Sequence, residues 1–208
     1  MMKRVPLTLV CASVATAVLA GCASPEPRYY TLAQGPGAVA APAPAPAAAP
    51  STDTLWLEVA PVRVPERLNR PQLVVRDGGN GNGSDASLRL LDLSRWSAPL
   101  PDELRDALSQ RLQATLGAVD TYQQGLSDVQ PLYRITTEVL RLDADLGQRA
   151  GATINWTVRR LPDGKVVSGR TQAELPAPGA VDGVVAAYRE IVASTANDIA
   201  AGVQSLRR

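Results

Sequence analysis

ATINWTVRRLPDGKVVSGRTQAEL (residues 152–175) contains two strand patterns separated by a strong turn signal. The central Pro162-Asp163-Gly164-Lys165 combines residues that preset or tolerate the backbone angles of a tight turn. Ala152 to Leu161 alternates apolar and polar residues, and Val166 to Leu175 returns as the partner strand. One face of the first strand is apolar: Ile154, Trp156 and Val158. The stretch therefore predicts an antiparallel hairpin with a buried face.

Similar patterns on both sides of this hairpin predict the remaining elements. Strands are predicted at 54–64, 71–76, 87–93 and 132–142, and helices at 101–116 and 182–206. The first helix carries leucines at i+4 spacing and stops at Gly117. The strand at 132–142 loses its alternation at Leu140, which predicts a β-bulge. Pro61 inside the first strand predicts an edge position or a bulge, because proline has no N–H to donate.

Residues 77–84, DGGNGNGS, separate two of the predicted strands. A glycine-rich phosphate cradle would open a helix and be followed by lysine and a hydroxyl residue. Because this run leads into another strand, it predicts a hairpin loop.

The order of elements is three strands, a helix, three or four strands and a second helix. Two similar β-then-α halves predict an α+β fold, with a mixed or antiparallel sheet and both helices packed on one face. The folded domain is predicted at 54–208. Residues 34–53, QGPGAVAAPAPAPAAAPSTD, precede it and favour an extended polyproline II path. We interpret them as a tether that lifts the domain off a membrane, with a reach on the order of 60 Å.

The N-terminus has the organisation of an export signal. Lys3 and Arg4 precede an apolar run, Val5 to Leu19, that is shorter than the ~20 apolar residues a membrane span requires. The run closes on Leu19-Ala20-Gly21-Cys22, which resembles the bacterial lipobox. An ordinary signal peptide that contains a cysteine by chance is the alternative.

The lipobox resemblance implies removal of residues 1–21, by cleavage between Gly21 and Cys22, and acylation of Cys22. Residues 22–33 then form the acylated N-terminal segment, and two or more acyl chains give durable anchoring. Ala23-Ser24 follows the cysteine, with no aspartate in the second mature position. In the bacterial lipoproteins that this N-terminus resembles, an aspartate in the second mature position commonly retains the protein at the inner membrane. Its absence favours an outer-membrane anchor facing the periplasm.

The composition excludes several kinds of chemistry. Histidine is absent, and Cys11 and Cys22 are the chain's two cysteines. With Cys11 removed and Cys22 acylated, the mature chain has no thiol for a disulfide. Without histidine it also lacks a Ser-His-Asp triad, a Cys-His site and a histidine-based zinc site. Loss of Lys3 and Arg4 shifts the formal net charge from +1 to −1. A near-neutral chain argues against nucleic acid as a partner, because phosphate contacts need clustered Lys and Arg.

Carboxylates remain as candidate acid–base or calcium groups. Asp143 and Asp145 lie at a predicted strand end, and three more acids lie at the predicted start of the first helix: Asp102, Glu103 and Asp106. We interpret them as solvated or helix-dipole-facing groups, because the glycine and glutamate of an EF-hand loop are missing. The sequence therefore predicts no enzyme, no metal and no cofactor apart from the covalent lipid on Cys22.

Several landmarks together resemble one protein family. Arg28-Tyr29-Tyr30-Thr31-Leu32 follows the lipobox, Arg70-Pro71-Gln72 lies within VPERLNRPQLV (residues 64–74), and Trp96 precedes the first helix. These segments are similar to the ABC-type transport auxiliary lipoproteins, the PqiC-like family. The resemblance gives six candidate partner-binding or signature residues: Tyr29, Tyr30, Arg70, Pro71, Gln72 and Trp96.

The resemblance implies an outer-membrane subunit of an MCE-type lipid (phospholipid) transport system that supports membrane integrity. Its partners would be an MCE-domain protein that spans the periplasm and an inner-membrane permease, with docking by strand addition at an open sheet edge. A homo-oligomer is left open.

The candidate residues and the proposed function each have alternative interpretations. Pro71 is tolerated as the start of a strand, Trp96 suits a core position, and the tyrosine pair suits a membrane interface. A periplasmic lipid carrier or outer-membrane assembly factor is the alternative function. It would need a sizeable apolar cavity of its own, and this chain has no phenylalanine to line one. A hydrolase built on a pair of carboxylates is a third candidate.

Overall fold

The computed structural model describes residues 25–33, 54–76 and 87–208. Cys22, the predicted cleavage site, the 34–53 segment and the predicted loop at 77–84 lie outside these residues. The described elements are β1 (Arg28–Tyr30), β2 (Leu55–Val59), a 3-10 helix (Glu66–Leu68), β3 (Gln72–Arg76), β4 (Leu88–Trp96), α1 (Leu100–Leu116), β5 (Ala118–Asp120), β6 (Tyr133–Asp145), β7 (Arg149–Arg160), β8 (Val166–Pro176) and α2 (Val181–Arg207). In these ranges, no helix has the length and hydrophobicity of a membrane span.

Two sheets form the β-structure. The larger has the order β5-β2-β6-β7-β8, with β2 parallel to both neighbours and β6, β7 and β8 antiparallel. Helix α1 packs on β2 and β5, α2 packs on β7 and β8, and the two helices touch each other. The smaller sheet has the order β1-β4-β3. The predicted α+β class, with two helices on one face of a mixed sheet, is confirmed, and the second sheet is an addition to it.

The predicted hairpin is present as β7 and β8. Its turn is held by Arg160, whose Nε donates a hydrogen bond of 2.9 Å to the Asp163 carboxylate and lowers the pKa of that group. On the buried face, the Trp156 ring lies over two glycines, Gly169 of β8 and Gly202 of α2. A Cβ atom at Gly169 would lie 2.3 Å from the ring, so the close approach of strand and ring requires glycine.

Gly169→Ala is expected to lower the free energy of unfolding by about 1–3 kcal/mol, the usual cost of overpacking a core. Urea denaturation followed by far-UV circular dichroism measures this loss. Ser168→Ala, on the exposed face of the same strand, is the control and should leave stability nearly unchanged. If the two variants unfold at the same urea concentration, the ring does not occupy the space over Gly169.

The structure confirms three predicted local signals: a helix stop and two β-bulges. Helix α1 ends at Gly117 in the left-handed conformation, with φ 61°. The β6–β7 register shifts between Val139 and Arg141, which confirms the predicted bulge. The bulge predicted at Pro61 is confirmed, because Val59 pairs with Ile135 and Arg63 with Glu138, which leaves one extra residue on the Pro61 side. Strand β2 ends at Val59 and is central, and β5, which has only three residues and was not predicted, forms the edge of the sheet.

Residues 28–33 belong to the folded domain. Strand β1 pairs with β4, Leu32 is buried in the core, and the Leu32 amide donates to the Glu103 carboxylate. Since β1 precedes residues 34–53, the Ala/Pro segment connects two strands of the domain, β1 and β2. The interpretation of this segment as a spacer between anchor and domain is therefore wrong. A strand of three residues has too little periodicity to be recognised beside so distinctive a composition.

Candidate partner-binding site

Three of the family-signature residues meet at one pocket. The start of β3 and the end of β4 lie side by side, and the Trp96 amide donates a 2.8 Å hydrogen bond to the Pro71 carbonyl oxygen. Arg70, Pro71 and Trp96 line a mainly apolar pocket of about 290 Å³. The other lining residues are Asn69, Ser97, Ala98 and Pro99. We call this the Trp96 pocket.

Of the three signature residues at the Trp96 pocket, Arg70 and Pro71 are exposed. Trp96 is 5% exposed and belongs to the core where the small sheet meets the helices. Neighbours around a small cavity on its inner side include Leu73, Leu100 and Tyr188. Burial raises the pKa of the Tyr188 phenol, so this group stays protonated at ordinary pH. The core role foreseen as an alternative for Trp96 is thus its main structural role, and Gln72 is half-buried at the start of β3.

The two tyrosines of β1 differ in their surroundings. Tyr30 packs against the core, its carbonyl oxygen accepts from the Ser97 amide at 2.8 Å, and the Arg28 guanidinium lies 5.6 Å from its ring centre. Tyr29 points away from the core and is among the most exposed aromatic residues of the described part. Only Tyr29 of the pair is therefore available to a partner or to a lipid surface.

Glu103 holds β1 and the β4–α1 connection onto the helix. It is 4% exposed, and its carboxylate accepts from the Leu32 amide and the Thr31 hydroxyl at 2.7 Å and from the Ala98 amide at 3.1 Å. The Ser97 hydroxyl donates to it as well. The prediction of a helix-start carboxylate is correct in position, but this group is buried and fully engaged rather than solvated. No sequence signal separates Glu103 from its exposed neighbour Asp102.

A second buried network was not predicted. Asp120 is fully buried, and its carboxylate accepts from Arg105 Nη2 at 2.7 Å and Ser109 Oγ at 2.6 Å. Arg105 also pairs with Asp106 and lies 4.3 Å from the centre of the Tyr122 ring. The network borders an open cavity of about 350 Å³ at the β5 edge, lined by residues that include Tyr122, Leu126, Glu58 and Arg134.

The remaining candidate carboxylates are ion-paired. Asp143 pairs with Arg76 and with Arg141, and Asp145 pairs with Arg149. The interpretation of these two acids as simply solvated is therefore wrong, since both are mostly shielded by their arginines. Within residues 25–33, 54–76 and 87–208, no three metal-binding side chains come together.

Strand β8 forms a long edge of the five-stranded sheet. It has 11 residues and pairs with β7 on one side, whereas no other described strand pairs with its second side. Its exposed face carries both charges, on Arg170 and Glu174. A long edge of this kind can accept an added strand through main-chain hydrogen bonds.

Comparison with known proteins identifies the family. The model for the ABC-type transport auxiliary lipoprotein component matches residues 38–200. A crystal structure of an uncharacterized protein aligns with a TM-score of 0.63 at 19% identity, over 86% of this chain and 99% of the other. A DUF330 protein from Xanthomonas campestris aligns with a TM-score of 0.54 at 18% identity, over 72% of this chain and 82% of the other. No curated protein matches.

The two solved structures support the fold, and the family match covers most of the chain. This chain belongs to the ABC-type transport auxiliary lipoprotein family. The resemblance drawn from the tyrosine, Arg-Pro-Gln and tryptophan landmarks is therefore confirmed.

Proposed function

We propose that this protein is an outer-membrane-anchored subunit of an MCE-type lipid transport system and is not an enzyme. In this proposal it docks the MCE-domain protein that spans the periplasm, and that protein works with an inner-membrane permease. The family match over residues 38–200 carries the proposal. The lipobox supports the anchor, since acylation of Cys22 would place the domain at a membrane surface.

The edge of β8 supports docking by strand addition. Along its 11 residues, alternate residues direct their main-chain N–H and C=O groups away from β7. The side chains of its exposed face include a cation and an anion. Main-chain hydrogen bonds would supply affinity, and the charge pattern would select the partner strand. Pro176 at the end of β8 limits the length of an added strand.

The lipid-carrier alternative receives less support from the described residues. The space between the large sheet and the helices is filled by buried side chains, such as Ile135 and Ile154 of the sheet and Ile199 of α2. The cavities of about 350 and 310 Å³ are open or lined in part by charged residues, including Arg134 and Arg141. A carrier would bury acyl chains in an enclosed apolar cavity.

A photo-crosslinking amino acid at position 170, on β8, is expected to capture an MCE-domain protein in the native envelope. The same amino acid at Gln110, an exposed position on α1, is the control for random encounters. Mass spectrometry of the crosslinked product identifies the partner. Capture at position 110 but not 170 would move the docking face to the helices. The carrier function would be favoured by two results together: no crosslink to an MCE-domain protein from either position, and one equivalent of lipid bound to a purified Cys22→Ser variant.

A further inference from the structure

The outer face of the small sheet is unusually apolar for a solvent-exposed surface. Eight large hydrophobic residues are exposed in the described part of the chain, and half of them lie on β1 and β4. They are Tyr29, Leu88, Leu90 and Leu93. We call this surface the β4 face. Clustered exposed apolar residues of this kind mark a contact surface.

The same strands carry a positive charge. Four arginines and one acid lie on β1, β3 and β4: Arg28, Arg76, Arg89, Arg95 and Asp92. Arg28 and Arg76 pair with acids of other elements, and Arg89 lies opposite the buried Val75, so Arg95 supplies the positive charge on the face of Tyr29. The register places Tyr29 beside Arg95, and Leu93 lies two positions before Arg95 on the same face of β4. Leucine, tyrosine and arginine together are the side chains of surfaces that bind anionic lipid headgroups.

The chain length before β1 brings this surface to the membrane. Five residues separate Cys22 from Arg28, so an acylated cysteine would hold β1 within about 20 Å of the headgroups. Arg28 pairs with Ser94 of β4, so Leu93, the preceding residue of β4, lies about one strand spacing from β1. The Ala/Pro segment adds no distance, because it follows β1.

We infer that the β4 face is a membrane-binding surface, which lies against anionic phospholipid headgroups and orients the anchored domain. This inference rests on the proposed acylation of Cys22. Tyr29 and the leucines enter the interface, and Arg95 pairs with a lipid phosphate. The domain then lies on the bilayer in a fixed orientation, and its other surfaces are presented to the periplasm.

The absence of a free thiol in the acylated chain allows a clean test. Leu90→Cys and Leu93→Cys are labelled with the environment-sensitive fluorophore NBD in the lipidated protein and bound to phosphatidylethanolamine/phosphatidylglycerol vesicles. Leu140→Cys is the matched control, because Leu140 on β6 is 41% exposed and Leu90 is 45% exposed. Labels at 90 and 93 should shift to shorter wavelength and be quenched by nitroxide-bearing lipid, whereas the label at 140 should not.

Equal spectra at 90, 93 and 140 on vesicles would overturn the inference, as would protection of position 90 only after a partner protein is added. Arg95→Glu should weaken the shift on anionic vesicles, and Arg170→Glu on β8 should not. Flotation with the vesicles is read separately. A chain that fails to float contradicts the proposed acylation, whereas one that floats with position 90 in water contradicts the membrane-binding face alone.

Discussion

Glu103→Ala is expected to lower the free energy of unfolding by about 3 kcal/mol and to release residues 28–33 from the domain. The substitution leaves the buried Leu32 amide and the Ala98 amide without their acceptor, and each buried donor left unsatisfied costs about 1–3 kcal/mol. Strand β1 has only three residues. Without Glu103 its attachment depends on the β4 pairing, the Leu32 side chain and two hydrogen bonds from Arg189 to the Thr31 carbonyl oxygen.

Urea denaturation measures the loss, and hydrogen exchange at the Leu32 amide measures the local release. Asp102→Ala is the matched control, because it removes a carboxylate from the same helix turn but from an exposed position. It should cost less than about 1 kcal/mol. If Asp102→Ala and Glu103→Ala destabilise equally, the effect comes from the helix dipole and not from the four hydrogen bonds.

The sequence predicted the elements whose signals are local and failed where partners are distant. The β7–β8 hairpin was recognised because alternation and a four-residue turn occur in one continuous stretch. Strand β5 and strand β1 were missed, since three residues do not establish a period. Burial of Glu103 depends on Thr31 and Leu32, which are more than 70 positions away in the chain. No local pattern contains that information.

The candidate site shows the same difference between local sequence signals, which were recognised, and burial, which was not. Arg70, Pro71 and Trp96 were singled out as sequence landmarks, and antiparallel pairing of β3 with β4 brings them to one pocket. Their individual roles depend on burial, which places Trp96 in the core and leaves Arg70 at the surface. The position of β1 bears directly on the proposed anchor. Because β1 precedes the Ala/Pro segment, acylation of Cys22 as proposed would join the lipid to the domain through the few residues between Cys22 and Arg28.

Asp120→Ala is expected to be the most destabilising single substitution of those considered, at about 3–5 kcal/mol. Asp120 is fully buried, and Arg105, the cation it neutralises, is nearly so. The substitution leaves the guanidinium charge in the protein interior without its buried counter-ion. It also removes an acceptor of the Ser109 hydroxyl and the acceptor of the Tyr122 amide at 3.1 Å, so β5 loses the buried side-chain bonds that join it to α1.

Asp106→Ala is the control, because it removes the other carboxylate bound to the same guanidinium, but one that is 46% exposed. Exposed pairs contribute at most about 1 kcal/mol. Urea denaturation of both variants gives the comparison, and the double variant Arg105→Met/Asp120→Ala should recover part of the loss because it removes the unpaired charge. Equal stability of Asp106→Ala and Asp120→Ala would mean that the buried pair does not hold β5. A double variant less stable than Asp120→Ala alone would mean that Arg105 stabilises the domain through its packing on Tyr122.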